Sequence, residues 1–176
     1  MDVRTPLEYA LVWTKVEAVD VRRKNARGEM VGIFRDIPVG AVLATAWNPS
    51  CLERCRRHLE NGSLAPRIRV AEVRRKGQPT LYTVDDGMHR TIAAREADMK
   101  MIRAEVTGWI TSDPARFFLF QGVLYDTVAD NPDDFRLVTH RIKPDVIAAL
   151  IDIGVTPVPD DAHPHTHLTE LGAYTD

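Results

Sequence analysis

The chain has 176 residues, 44% of them hydrophobic and 27% charged, with a formal net charge of −2. That composition excludes a disordered or fibrous chain and suits one domain, or one domain with an extension, able to bury a core without staples. No apolar run approaches the ~20 residues that cross a bilayer, and "MDVRTPLEYA" lacks the basic-then-apolar layout of a secretory signal.

In chain order, "EYALVWTKVEAVDV" (8–21) alternates and is rich in Val, which predicts a strand. "RRKNARGE" (22–29) predicts a turn and "MVGIF" (30–34) a returning strand. "IPVGAVLAT" (37–45), punctuated by Pro and Gly, fits a strand or a loop. "NPSCLERCRRHLENG" (48–62) predicts a helix with readable ends. Asn48-Pro49 offers an N-cap and a first-turn proline, Ser50 with Glu53 a competing capping box, and Asn61-Gly62 a stop. "PRIRVAEV" (66–73) alternates as a strand, "RRKGQPT" turns the chain, and "LYTV" (81–84) returns it. "HRTIAAREA" (89–97) predicts a helix whose Ile92, Ala93 and Ala97 face a sheet. Asp98 stands where a left-handed helix end is wanted. "MIRAEV" (101–106) is again a strand.

The last part reads differently. Phe117, Phe120, Leu124 and Val128 fall at helical spacing, predicting a helix over 114–130. "PDVIAALIDIG" (144–154) predicts a second, with Pro144 at its start and Gly154 past its end. The Pro-rich tail from Val155 predicts irregular structure. Residues 111–176 hold four Lys and Arg against eleven Asp and Glu, a net of −7; the remaining residues hold nineteen against fourteen, a net of +5. The basic first part favours a phosphate-bearing partner, and the acidic second part argues against long DNA crossing the whole surface.

The chemistry concentrates where a strand runs into a helix, at Asp85-Asp86-Gly87-Met88-His89-Arg90-Thr91. A helix N-terminus presents unbonded N–H groups and about half a positive charge. Gly87 permits close backbone approach, and His89 and Arg90 add donors, Arg in a fork that suits phosphate. The residues therefore predict an anion site, and a phosphate best of all. A tight turn with a surface arginine is the plainer reading. Asp85 and Asp86 are natural Asx-turn formers, while Asp86 is also placed to hold Mg²⁺ against a phosphate or to act as a base.

The stretch "VDDGMHRTIAAREADMKMIRAEV" resembles the signature of the ParB/sulfiredoxin superfamily, a strand, an Asp-Gly-x-His-Arg-like loop, an Ala-rich helix and a short strand ending in Val. The preceding "LENGSLAPRIRVAEV" is similar to the family's helix, Gly-x-x-x-Pro-Ile-x-Val and strand, and the likeness extends over residues 36–106. It implies an α+β fold, a small mixed sheet with helices, over residues 1–110; the helical patterns of the last part predict 111–176 as a helical extension packed on it, ending in an irregular tail. It also implies a nucleotide site. In partition ParB proteins the loop takes CTP, in sulfiredoxins ATP, and in the free-serine kinases a phosphoryl donor. Carried over by position, Gly87, Met88, His89, Arg90 and Thr91 hold the phosphates of ATP, ADP or CTP, and Asp86 with Mg²⁺ and His89 serve the chemistry. Three departures bear on that chemistry. Met88 stands where sulfiredoxins place a catalytic Cys, "AVLATAWNPS" holds no Glu as the kinases require, and 111–176 shows no helix-turn-helix.

The leading expectation is nucleotide binding with phosphoryl transfer to a small acceptor, or hydrolysis. The alternatives are a nucleotide-gated DNA-associated regulator and a ParB-like nuclease. Cys51 and Cys55, without a disulfide framework, point to a reducing, cytoplasmic setting. With His58 they share one helix face, as buried packing residues or as zinc ligands. His163, His165 and His167 share one side of an extended tail, solvated, metal-binding or closing over the nucleotide. Arg54, Arg56, Arg57, Arg67, Arg69, Arg74, Arg75 and Lys76 form either a solvated face or a weak nucleic-acid surface.

Overall fold

The computed structural model describes residues 4–62, 67–128 and 135–171. Residues 63–66 of the family-like stretch, 129–130 of the expected third helix and 172–176 of the tail lie outside them. The architecture is mixed α and β, and no described helix is long and apolar enough to cross a membrane.

The chain opens with α1 (Pro6–Trp13), followed by β1 (Lys15–Asp20). A strand was expected across both. Thr5 overrides the alternation, because its Oγ1 accepts from the Glu8 N–H at 3.1 Å and Pro6 takes the first helical position. A short hairpin, β2 (Arg23–Lys24) and β3 (Met30–Val31), leads to β4 (Ile33–Pro38), a 3₁₀ turn at Val39–Ala41 and β5 (Val42–Leu43). Next come α2 (Pro49–Glu60), β6 (Ile68–Arg74), β7 (Leu81–Asp86), α3 (Met88–Glu96) and β8 (Met101–Ser112). In α2 the side chain of Asn48 accepts from the Ser50 and Cys51 N–H groups, so it, and not Ser50, is the cap.

A 3₁₀ turn at Pro114–Arg116 begins the remainder, with β9 (Phe117–Phe120), β10 (Val123–Asp126), β11 (Arg136–Thr139), α4 (Pro144–Ile153), β12 (Thr156–Val158) and α5 (Pro164–Glu170). Where a helix was expected over 114–130, residues 117–126 form a hairpin. Gln121 and Gly122 have φ of 51° and 74°, and Phe120 faces Val123 across them. Two successive positive φ values make the two-residue turn that joins twisted antiparallel strands, and they break any helix. The described part of the tail holds β12 and α5, where irregular structure was expected.

The chain divides into two compact units: Met1–Glu8 with Val16–Thr111, and Tyr9–Lys15 with Ser112–Asp176. In the first, the strand order is β1-β8-β6-β7-β5, with β4 also on β8. One face of this sheet is the core, where Ile37, Ile68, Val70, Val84, Ala104 and Val106 pack with Ala94 of α3. The second is not a helical extension. It holds a four-stranded sheet in the order β11-β10-β9-β12, with Phe118, Val158 and Leu168 buried together. Asp126 is fully buried there. Arg116 grips it through two 2.8 Å bonds, Arg136 adds one of 2.9 Å, and the Val128 N–H adds another.

Two irregularities in the first sheet lie side by side. Opposite β6, β7 carries an extra residue, Asp85, between the pairs Val70–Val84 and Arg69–Asp86. β8 carries another, Thr107, between Val70–Val106 and Ala71–Gly108. Such bulges bend a strand and re-aim its side chains.

Candidate functional site

The end of β7 is built by its bulge and by Gly87. Asp85 and Asp86 are both exposed, and Gly87, with φ of 108°, is the N-cap of α3. The glycine is obligatory for two reasons. Its backbone angle disfavours any side chain, and a Cβ there would lie 2.5 Å from Cγ2 of Ile68. The close approach that Gly87 makes here is to the core, at Ile68.

Helix α3 makes its first internal bond from the Thr91 N–H to the Gly87 carbonyl. The N–H groups of Met88 and His89 therefore lead the helix with no earlier turn to accept them. The Thr91 hydroxyl is buried and donates to the same Gly87 carbonyl at 2.9 Å, so its side chain closes the turn instead of facing a ligand. Met88 turns its side chain to the core, within 3.8 Å of the Thr45 hydroxyl, and leaves only its backbone to the loop.

Arg90 lies across the loop. Its Nη2 donates to Oδ2 of Asp86 at 2.8 Å and its Nη1 to the carbonyl of Arg67 at 2.7 Å. The arginine side chain is one-fifth exposed and that of Asp86 two-thirds exposed. Asp86 is a carboxylate that solvent can reach, tethered at the helix head by one guanidinium.

His89 is fixed from the other side. Its Nε2 accepts from the Asn48 backbone N–H at 3.0 Å, which assigns the neutral ring's proton to Nδ1. Trp47 meets the ring edge-on, with centroids 5.1 Å apart. Asn48 is also the cap of α2, so the N-termini of α2 and α3 converge on one hydrogen bond. Neither helix has an acidic residue in its first turn to offset the positive end. Trp47, Asn48, Ile68 and the Arg67 carbonyl are parts of this site that motif reading does not find, because each comes from a segment distant in sequence.

Asp85 faces elsewhere. With Arg22, Arg69, Ala71, Gly108 and Trp109 it lines an open cleft of about 470 Å³ on the sheet. Cys55 stands on α2, and burial pushes its thiol above the usual range against the opposing pull of Arg90. Among the described residues, no three or more His, Cys, Asp and Glu side chains are placed to hold a metal ion by themselves. Cys51, Cys55 and His58 form no such centre. The three tail histidines do not share an extended face. His163 stands at the N-cap position of α5 without a side-chain capping bond, and His165 and His167 are two residues apart within the helix. His163 and His165 line a hollow with Phe118, Phe120, Tyr125 and Phe135.

The basic cluster expected as a surface is largely spent on local partners. Arg56 binds Glu96 through two bonds, Arg57 lies 3.5 Å from Glu53, and Arg54 donates to Sγ of Cys51. Arg74 pairs with Glu72 and lies 4.0 Å over the Trp109 ring. Compared with known proteins, the chain matches no protein-family model and shows no significant match to a curated protein.

Proposed function

We propose that the chain binds a nucleotide through its phosphates at the head of α3, in the manner of the ParB/sulfiredoxin superfamily it resembles, and that its chemistry is phosphoryl transfer or hydrolysis. The observation that carries this reading is the convergence of two helix N-termini at His89, beside an arginine paired with the exposed carboxylate of Asp86. A phosphate there meets the Met88 and His89 N–H groups, the Nδ1–H of His89, and the Arg90 fork. Arg90 stays anchored by the Arg67 carbonyl and exchanges the Asp86 carboxylate for phosphate oxygen. Asp86 is then released toward the phosphates. One carboxylate plus phosphate oxygens is a donor set that suits Mg²⁺, which would supply charge neutralisation on the transferring group. Asp86 would hold it, or accept a proton from an attacking hydroxyl or water. Once the phosphate is bound, the helix dipoles and Arg90 are already aimed at the negative charge, and such stabilisation is the larger part of catalysis of this class.

A thermal-shift series of ATP, ADP, CTP and GTP, with and without Mg²⁺, tests it. A ligand at a hundred times its Kd adds about 2.7 kcal/mol, a rise in Tm of roughly 5–10 °C for a chain of this size. Arg90→Ala should keep its fold by circular dichroism and lose most of that rise. No rise with any nucleoside phosphate at millimolar concentration contradicts the reading.

A further inference from the structure

Residues 22–30 are nine consecutive exposed positions, yet they form an ordered two-stranded arm. Arg23 pairs with Val31 and Lys24 with Met30. The tip is braced by Asn25, whose Oδ1 accepts from the Arg27 and Glu29 N–H groups at 2.9 Å each. Its Nδ2 donates to Glu29. The base is fixed as firmly. The Val21 N–H donates to the carbonyl of Thr107, the bulged residue of β8, and the Gly32 N–H donates to Oε1 of Glu105. Burial pushes the Glu105 carboxyl up, but the Gly32 N–H and the arginines Arg69 and Arg67 outweigh it and hold it below the usual range. A two-stranded ribbon is marginal alone in water; here the tip and the base are both tied by hydrogen bonds.

The arm carries four basic side chains, Arg22, Arg23, Lys24 and Arg27, against one acidic one, Glu29. Arg23, Lys24 and Arg27 make no ion pair among the described residues. Arg22 is held by Asp20, and Arg67 and Arg69 share the one carboxylate of Glu105 at the base. The tract from Arg67 to Arg27 thus carries a surplus of positive charge on a rigid support. We propose that this arm is a docking element for duplex DNA, seated in the major groove with Arg23, Lys24 and Arg27 on backbone phosphates. A two-stranded ribbon has the width the B-form major groove admits. The A-form groove of duplex RNA is too deep and narrow for it. No aromatic residue lies in 22–30, so the arm lacks the stacking platform that single strands use. This inference is independent of the nucleotide reading.

Fluorescence anisotropy with a short mixed-sequence DNA duplex, titrated at several salt concentrations, tests it on the full chain. The wild type should bind at low salt. The triple variant Arg23→Ala, Lys24→Ala, Arg27→Ala should bind about tenfold more weakly or worse, and its slope of log affinity against log salt should be shallower by about 2–3. Because the three side chains are exposed, its melting temperature should stay at the wild-type value, and nucleotide-induced stabilisation should be untouched. No duplex binding by the wild type, or a triple variant with unchanged affinity and slope, overturns the proposal. So does tighter binding of single-stranded DNA or duplex RNA. Equal binding of polyglutamate, lost in the same variant, also overturns it and assigns the arm to an acidic protein.

Discussion

Asp126→Ala should destabilise the second unit by about 3–5 kcal/mol, the cost of removing one partner from a buried ion pair. The carboxylate is fully buried and satisfies Arg116, Arg136 and the Val128 N–H at once. Without it, Arg116 keeps a largely covered charge and the β9–β10 hairpin loses its clasp. Arg136→Ala is the internal comparison. Its side chain is 64% exposed, so its loss should cost about 1 kcal/mol or less. Urea denaturation, with hydrogen exchange at the β9 and β10 amides, separates the two. The same site sets a pH dependence. Burial raises the Asp126 carboxyl, but Arg116, the Val128 N–H and Arg136 together hold it below its ordinary value. A depressed carboxylate stabilises above the unfolded value of about 3.9 and loses that contribution as pH falls through the lower folded one. The stability gap between wild type and Asp126→Ala should therefore be constant near neutrality and close in acid. A gap that persists unchanged below that range contradicts the ion-pair account.

Gly87→Ala should be nearly as damaging, at about 2–4 kcal/mol. The two contributions are separate. Alanine resists φ of 108°, and its methyl group meets Ile68 of the core. Ile68→Ala in the same chain relieves the second and not the first. The double variant should therefore fall short of the sum of the single losses. Simple additivity, measured by denaturation of all four proteins, contradicts the claim that Ile68 is what the missing side chain leaves room for.

The passage from strand to helix through Gly87 was legible because its signals are contiguous. Asp86, Gly87, His89 and Arg90 are neighbours in sequence, and a strand entering a helix brings them to one point. The ends of α2 and α4 were legible for the same local reason: Asn48-Pro49 caps one, and Gly154, at φ of 116°, stops the other. Asp98 likewise takes the left-handed conformation expected of it, with φ of 61°. Failures arose where a local pattern competed with a stronger local signal. Phe117, Phe120 and Leu124 match a helical stripe, but Gln121-Gly122 dictates a hairpin. The alternation through Val12 and Val16 hid the Thr5 cap that starts α1. What no local pattern holds is the long-range part: the Asn48 N–H on His89, the Arg67 carbonyl under Arg90, and an Asp126 whose arginines are ten residues away on either side.

The central claim is that nucleotide phosphates seat on the backbone and side chains at the head of α3. Amide chemical-shift mapping during titration with a nucleoside triphosphate and Mg²⁺ tests it most directly. The account predicts that the Gly87, Met88 and His89 amides shift first and furthest, with the Asn48 amide following because it donates to the His89 ring. Saturable binding that leaves these four signals in place while others move would contradict it.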